Sequence, residues 1–122
     1  MNTDSVLITE TDYSRINSLL KNNFDESLEA LENKLNQANV VAEDLAPSDL
    51  VTMNSKVSYL EIDNNQQSII SIVYPHDANV LEGKISILSP LASALLGLRE
   101  TEVINWPFPG GKTKSLKIIK VF

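Results

Sequence analysis

The residues able to do chemistry in this chain are few. His76, in Tyr74-Pro75-His76-Asp77, is the only histidine. Beside Asp77 it has the elements of a base dyad, but no serine sits in a nucleophile motif to complete one, so the pair reads as a solvated turn. Pro109-Gly110-Gly111-Lys112 places a lysine after two glycines, yet lacks the spacing and following helix of a phosphate-cradling loop and reads as a hairpin turn. Asp25, Glu26 and Glu29 lie close together, and Glu26-Ser27-Leu28-Glu29 puts two carboxylates three apart, as a hard metal ion would need. Carboxylates in the first turn of a helix are also favoured by its dipole, whatever the function. With no cysteine, disulfide frameworks, thiolate-zinc sites and thiol catalysis are excluded.

Charge narrows the partners. Residues 1–50 carry ten acids and three bases, a net of −7, and residues 51–122 carry six acids and seven bases, a net of +1. An acidic front half repels phosphate backbones, so autonomous DNA or RNA binding is not expected. Lys112, Lys114, Lys117 and Lys120 form a basic stripe that suits a strand edge guarded against aggregation. No apolar run is long enough to span a membrane, and MNTDSVLITETD lacks the pattern of a signal peptide, so a cytoplasmic protein is expected.

Two kinds of periodicity meet near residue 50. Tyr13, Ile16, Leu19 and Leu20 share one face of a first helix, with Thr9 and Asp12 placed as a capping box. After Lys21-Asn22-Asn23, the residues Phe24, Leu28, Leu31, Leu35 and Ala38 form a two-heptad apolar seam on a second helix. So short a connection predicts an antiparallel, coiled-coil-like helical hairpin over 1–46, and an internal hairpin favours a monomer. The segment from Glu43 to Asp49 reads as a linker. Beyond it KVSYLEI, SIISIVY, KISIL, EVINWPF and SLKIIKVF are β-rich runs, with turns at Asp63-Asn64-Asn65 and Pro109-Gly110-Gly111. Five strands and one short helix predict an α+β domain over 47–122, with an antiparallel or mixed sheet packed on the helix.

The helix is the sharply punctuated ISILSPLASALLG, residues 85–97. Ser89 suits the N-cap, Pro90 the first helical position, and Gly97 a left-handed stop. Leu91, Leu95 and Leu98 can face the sheet, while Ala92, Ser93 and Ala94 permit close approach. As chemistry this stretch is empty.

As a signature it is informative. VTMNSKV (51–57), ISILSPLASALLGL (85–98) and WPFPGG (106–111), in that order and spacing, resemble the C-terminal domain of the Gre transcript-cleavage factors. Over nearly the whole chain the sequence is similar to the regulator of nucleoside diphosphate kinase (Rnk) family, in which that domain follows a short helical hairpin. The resemblance implies an FKBP-like fold for 51–122, a strongly twisted sheet on one short helix. It also implies a bacterial protein that binds RNA polymerase and modulates transcription.

Gre factors thread a long coiled coil into polymerase, and acids at its tip help hold a catalytic magnesium ion. Here the tip is Asn22-Asn23-Phe24-Asp25-Glu26, the family's D-x-x-E pattern is absent, and the arm is far shorter. The expected function is therefore a non-enzymatic polymerase-binding regulator without cofactor or metal, competing with longer-armed factors. Its contacts are expected from Ser89, Pro90 and Leu91 at the helix start, and from Asp25, Glu26 and Glu29 at the tip. Two alternatives stand beside it: transcript cleavage through the tip carboxylates, and FKBP-type prolyl isomerisation. Against the second, Trp106 and Phe108 share a strand face with Ile104 and suit a core.

Overall fold

The computed structural model describes residues 6–23 and 25–122. Phe24, placed above at the start of the seam, lies outside them, as does MNTDS at the front of the N-terminal stretch.

The chain opens on a short strand, β1 (Leu7–Thr9), that runs into helix α1 (Glu10–Asn22). Thr9 caps α1: its hydroxyl accepts from the Asp12 amide at 3.3 Å, satisfying an N–H the first turn leaves open. A single 3₁₀ turn at Glu26–Leu28 leads into α2 (Glu29–Gln37), and β2 (Asn39–Val41) follows. β1 and β2 pair in parallel, Leu7 opposite Asn39, closing the root of the two-helix unit. Neither strand was expected, since three residues are too few to show a period of two.

The five remaining strands are β3 (Lys56–Glu61), β4 (Gln66–Val73), β5 (Lys84–Ser86), β6 (Val103–Phe108) and β7 (Lys112–Val121), with α3 (Pro90–Leu95) between β5 and β6. They form one mixed sheet in the order β5-β4-β3-β7-β6, parallel only between β4 and β5. The α+β reading therefore holds, and the sheet is of the mixed kind. β3, flanked on both sides, is buried at Val57, Ser58 and Tyr59, and a register shift between Ser58 and Tyr59 bends its pairing with β7. The lysine stripe sits on β7, which is paired by β3 and by β6, so the edge-guard reading is corrected. Leu116 and Ile118 in the middle of β7 are buried, while Lys114, two residues before Leu116, lies over the Phe108 ring at 4.8 Å with its stem along apolar surface.

The segment from Glu43 to Asp49 is tied down at both ends, which corrects its reading as a linker. Glu43 accepts from the Thr11 amide at 2.8 Å, and Asp49 pairs with Arg99 at the same distance. Ser89 and Pro90 start α3 as expected, with the Ala92 amide donating to the Ser89 hydroxyl at 3.3 Å. Ala92, Ala94, Leu95, Leu96 and Leu98 are buried, and Leu91 is only half-buried. Burying a leucine fully is worth about 1.5–3 kcal/mol, so this turn and a half anchors the core under the sheet.

Gly97 joins the two parts. Its φ of +85° lies in the left-handed region, and a Cβ there would stand 2.7 Å from Cγ1 of Val6 and 3.0 Å from the Leu7 carbonyl oxygen. The Leu7 amide donates to the Gly97 carbonyl at 3.1 Å, and the Gly97 amide donates to Val51 at 3.0 Å. The backbone after α3 is thereby threaded between β1 and residue 51.

Candidate functional site

The strongest local chemistry lies where α2 meets α3. Lys34 follows Leu31 by three residues and precedes Leu35 by one, so it falls on the buried stripe of α2. Its Nζ donates to the carbonyls of Ser93, Ala94 and Leu96 at 2.8, 2.7 and 2.7 Å. These are carbonyls that the end of a helix leaves open, at the negative pole of its dipole. The ammonium also stands 4.7 Å from the centre of the Trp106 ring, whose face attracts a cation. Burial pulls the pKa of Lys34 from 10.5 down to about 7. The three carbonyls work against that pull, because a neutral amine has only two N–H groups for three acceptors. Lys34 is a fastener between the two-helix unit and the body.

Beside this fastener runs a groove of about 510 Å³. One wall is the start of α2, with Glu26, Glu29 and Ala30; the other is Pro90, Trp106, Pro107, Phe108 and Pro109. The structure thus brings together three of the six expected site residues, Glu26, Glu29 and Pro90. Ser89 and Leu91 flank Pro90 as half-buried residues outside the groove lining, with Ser89 occupied as the cap of α3. Asp25 is likewise occupied, accepting from the Ser27 amide at 3.0 Å. With Glu26, Glu29 and Glu32 it lines a smaller cavity of about 190 Å³ over Leu20 and Leu28. Among the described residues no three acidic, histidine or cysteine side chains are grouped to hold a metal ion. Trp106 has both roles open to it: it is buried in the core and it also lines the groove.

The family described as transcription elongation factor, GreA/GreB, C-terminal, matches residues 46–122. The regulator of nucleoside diphosphate kinase of Escherichia coli is 30% identical over 124 residues, covering 99% of this chain and 91% of that protein. The chain belongs to the Rnk/Gre family. The GreA elongation factor of Geobacillus kaustophilus is 32% identical over 97 residues, 80% of this chain but 61% of that protein. Among solved structures, a GreA/GreB elongation factor from Nitrosomonas europaea superposes with a TM-score of 0.76 at 36% identity, covering 96% of this chain and 97% of that one. GreA factor homolog 1 of Thermus thermophilus shares the fold at 21% identity and a TM-score of 0.50, covering 97% and 99% of the two chains.

In this Rnk/Gre chain a second tie runs through Asp12, which is buried at the other end of the unit. The Met53 amide donates to its carboxylate at 3.0 Å, linking α1 to the loop before β3. Burial pushes the Asp12 carboxyl above its usual range, while the Met53 and Thr9 hydrogen bonds pull the other way. Neither Asp12 nor Lys34 was expected to act across the two parts. The signal for Lys34 was a charge at the i+3 position of the stripe Leu31, Leu35, Ala38, opposite a run of small residues in α3. His76 stays a solvated turn residue, 79% exposed and 3.3 Å from Asp77. Among the described residues no helix is long and apolar enough to cross a membrane.

Proposed function

We propose that this Rnk/Gre-family chain is a cytoplasmic regulator that binds bacterial RNA polymerase and does not stimulate transcript cleavage. In this reading α1 and α2 form a short antiparallel hairpin, with a boundary near residue 46, on an FKBP-like body. The body docks near the start of α3, at Ser89, Pro90 and Leu91, and the acidic groove wall of Asp25, Glu26 and Glu29 adds contacts. The reading draws on the relatives, whose names describe elongation factors and a regulator.

One observation carries the exclusion of cleavage. Glu26 and Glu29 are exposed and line a groove whose far wall is Pro90 and Trp106, so the tip carboxylates stand beside the protein's own body and not at the end of a projecting arm. With α1 of 13 residues spanning about 20 Å, and α2 pinned through Lys34, the arm is short and fastened. Magnesium tolerates little error in position, and a carboxylate held here has no reach into a deep channel. A factor that occupies the docking surface without such an arm would compete with longer-armed relatives.

The test is retention by bacterial core RNA polymerase at low salt. Micromolar binding that a longer-armed Gre factor displaces is expected, and no retention overturns the reading. Stalled elongation complexes supply the second arm: magnesium-dependent shortening of nascent RNA on adding the protein would reinstate the cleavage alternative. Acceleration of proline-peptide isomerisation would reinstate the isomerase.

A further inference from the structure

We propose that the outer face of the five-strand sheet, the side turned away from α3, docks an acidic amphipathic helix of a partner protein. Val57, Ile70, Ile72, Leu116 and Ile118 face the core, so the alternation of a strand turns Lys56, Ile69, Ser71 and Lys117 to the opposite side. Lys120 joins them, since it pairs with Ser58, which lies between the buried Val57 and Tyr59. Ser71 pairs with Lys56 on one side and Lys84 on the other, which sets these two lysines on one row. The five strands hold a single carboxylate, Glu61, and it points the other way: it is paired opposite the buried Leu116 and lies 3.7 Å from Lys114. A molecule of net charge −6 thus turns four lysines and no strand carboxylate to one face.

Apolar side chains stand among these lysines. Ile69 is 51% exposed, and Ile119, which the register shift leaves without a partner on β3, is 37% exposed. The ammonium groups of Lys56 and Lys120 stand 5.9 and 5.8 Å from the centre of the exposed Phe122 ring, so charge and apolar surface meet at one corner. At the β5 edge Val80 and Leu81 are exposed in the turn that Asn79 closes on Lys84. A sheet ordinarily buries an apolar face against a helix. α3 serves the inner side; on the outer side Lys56, Ile69, Lys84 and Lys120 are left exposed.

The chemistry of the face selects its occupant. Among the described residues Lys56, Lys117 and Lys120 take part in no ion pair, so carboxylates from another molecule can meet them. Two carboxylates border the face: Glu82 lies 3.3 Å from Lys84 and tempers it, and Glu100 is engaged by the Val121 amide at 2.9 Å. Lys56 and Lys84 stand two strand spacings apart, about 10 Å, close to the rise of two helical turns. A helix with acids at that interval and leucines beside them meets ammonium and isoleucine alike. A nucleic acid strand offers phosphates and rings where the face offers aliphatic carbon at Ile69 and Ile119, and the overall charge repels it. Five strands span about 19 Å, wide enough for a helix about 10–12 Å across. The face is separate from the start of α3, so this inference stands or falls independently of the proposed polymerase contact.

The test is a titration of the full ¹⁵N-labelled chain, at low salt, with a helical peptide of about 18 residues that carries a leucine stripe flanked by glutamates. Saturable amide shifts centred on residues 56–60, 67–71, 84–86 and 117–122 are expected, with affinity falling as salt screens the pairs. Polyglutamate of the same length brings charge without apolar contact and should bind at least about tenfold more weakly. Lys56→Gln combined with Lys120→Gln, both at exposed positions, should keep the folded spectrum and weaken the peptide by about fivefold or more. Ile69→Ser should weaken it with the salt dependence unchanged. Reversing the charge, Lys56→Glu with Lys120→Glu, should shift preference to a lysine–leucine peptide of the same pattern. The proposal is overturned by any of four results: no saturation at millimolar peptide, shifts centred on another face, affinity unchanged in the double Gln variant, or a single-stranded RNA of about 20 nucleotides binding this face more tightly than the peptide.

Discussion

Nζ of Lys34 donates to the carbonyl of Leu96 at 2.7 Å across 62 residues of sequence, tying the last turn of α2 to the end of α3. Replacing Lys34 with Met keeps most of the side-chain volume and removes every N–H. The carbonyls of Ser93, Ala94 and Leu96 then lose a shared buried partner, at about 1–3 kcal/mol for each group left unmet. Partial relaxation lowers the sum, so Lys34→Met should cost about 2–4 kcal/mol by urea unfolding at pH 7. A loss below about half a kcal/mol would show that the contact fastens nothing.

Lys34 also sets a pH dependence. Burial lowers its pKa from the ordinary 10.5, which the unfolded chain keeps, to about 7 in the fold. Between these, the unfolded chain holds a proton that the folded chain has lost, so stability rises with pH through the window from 7 to 10.5. The slope is at most ~1.4 kcal/mol per pH unit. Below pH 7 both states are protonated and this contribution is flat. Unfolding curves at several pH values should show the rise in the natural chain and its loss in Lys34→Met. Parallel profiles for the two would refute it.

Local grammar was legible in the sequence wherever a short motif has one physical solution. Thr9 caps α1, Ser89 and Pro90 open α3, and Gly97 takes the left-handed conformation. The five-strand, one-helix content of 47–122 was equally readable, because alternation over five or more residues leaves little choice. Pairing order was not. The lysines of β7 looked like an edge guard because the sequence does not tell which strand ends up in the middle of a sheet. Glu43 and Asp49 looked free because their partners, Thr11 and Arg99, lie 32 and 50 residues away. In the candidate groove, Glu26, Glu29 and Pro90 were named separately, and only the docking of α2 on the body brings them onto one surface. Lys34 was hidden by its type, since a lysine on a helix is ordinarily read as solvated.

The glycines give a contrast between crowding and open space. Gly97 and Gly110 have nearly the same left-handed backbone, φ +85° and +88°. A Cβ at Gly97 would meet Val6 at 2.7 Å, whereas at Gly110 nothing lies within 4 Å. Gly110→Ala should therefore cost only the backbone penalty of about 1–2 kcal/mol. Gly97→Ala adds a clash at the seam between β1 and the end of α3 and should cost about 3 kcal/mol or more. Equal losses in thermal or urea unfolding would place the strain in the backbone alone.

The tip acids separate stability from recognition. Glu26 and Glu29 are exposed, and among the described residues neither side chain forms an ion pair that holds the fold. Exposed carboxylates of this kind contribute little to stability beyond the helix dipole, about 0.3–1 kcal/mol each. Changing both to Gln should leave the unfolding midpoint nearly unchanged and, on the proposed docking surface, weaken retention on RNA polymerase with a reduced salt dependence, since rim charges act mainly on association rate. Pro90→Ala, on the opposite wall, should weaken retention without altering the salt dependence. If the double Gln variant binds polymerase as the natural chain does at every salt concentration, the acidic wall lies outside the interface, and docking runs through the start of α3 without it.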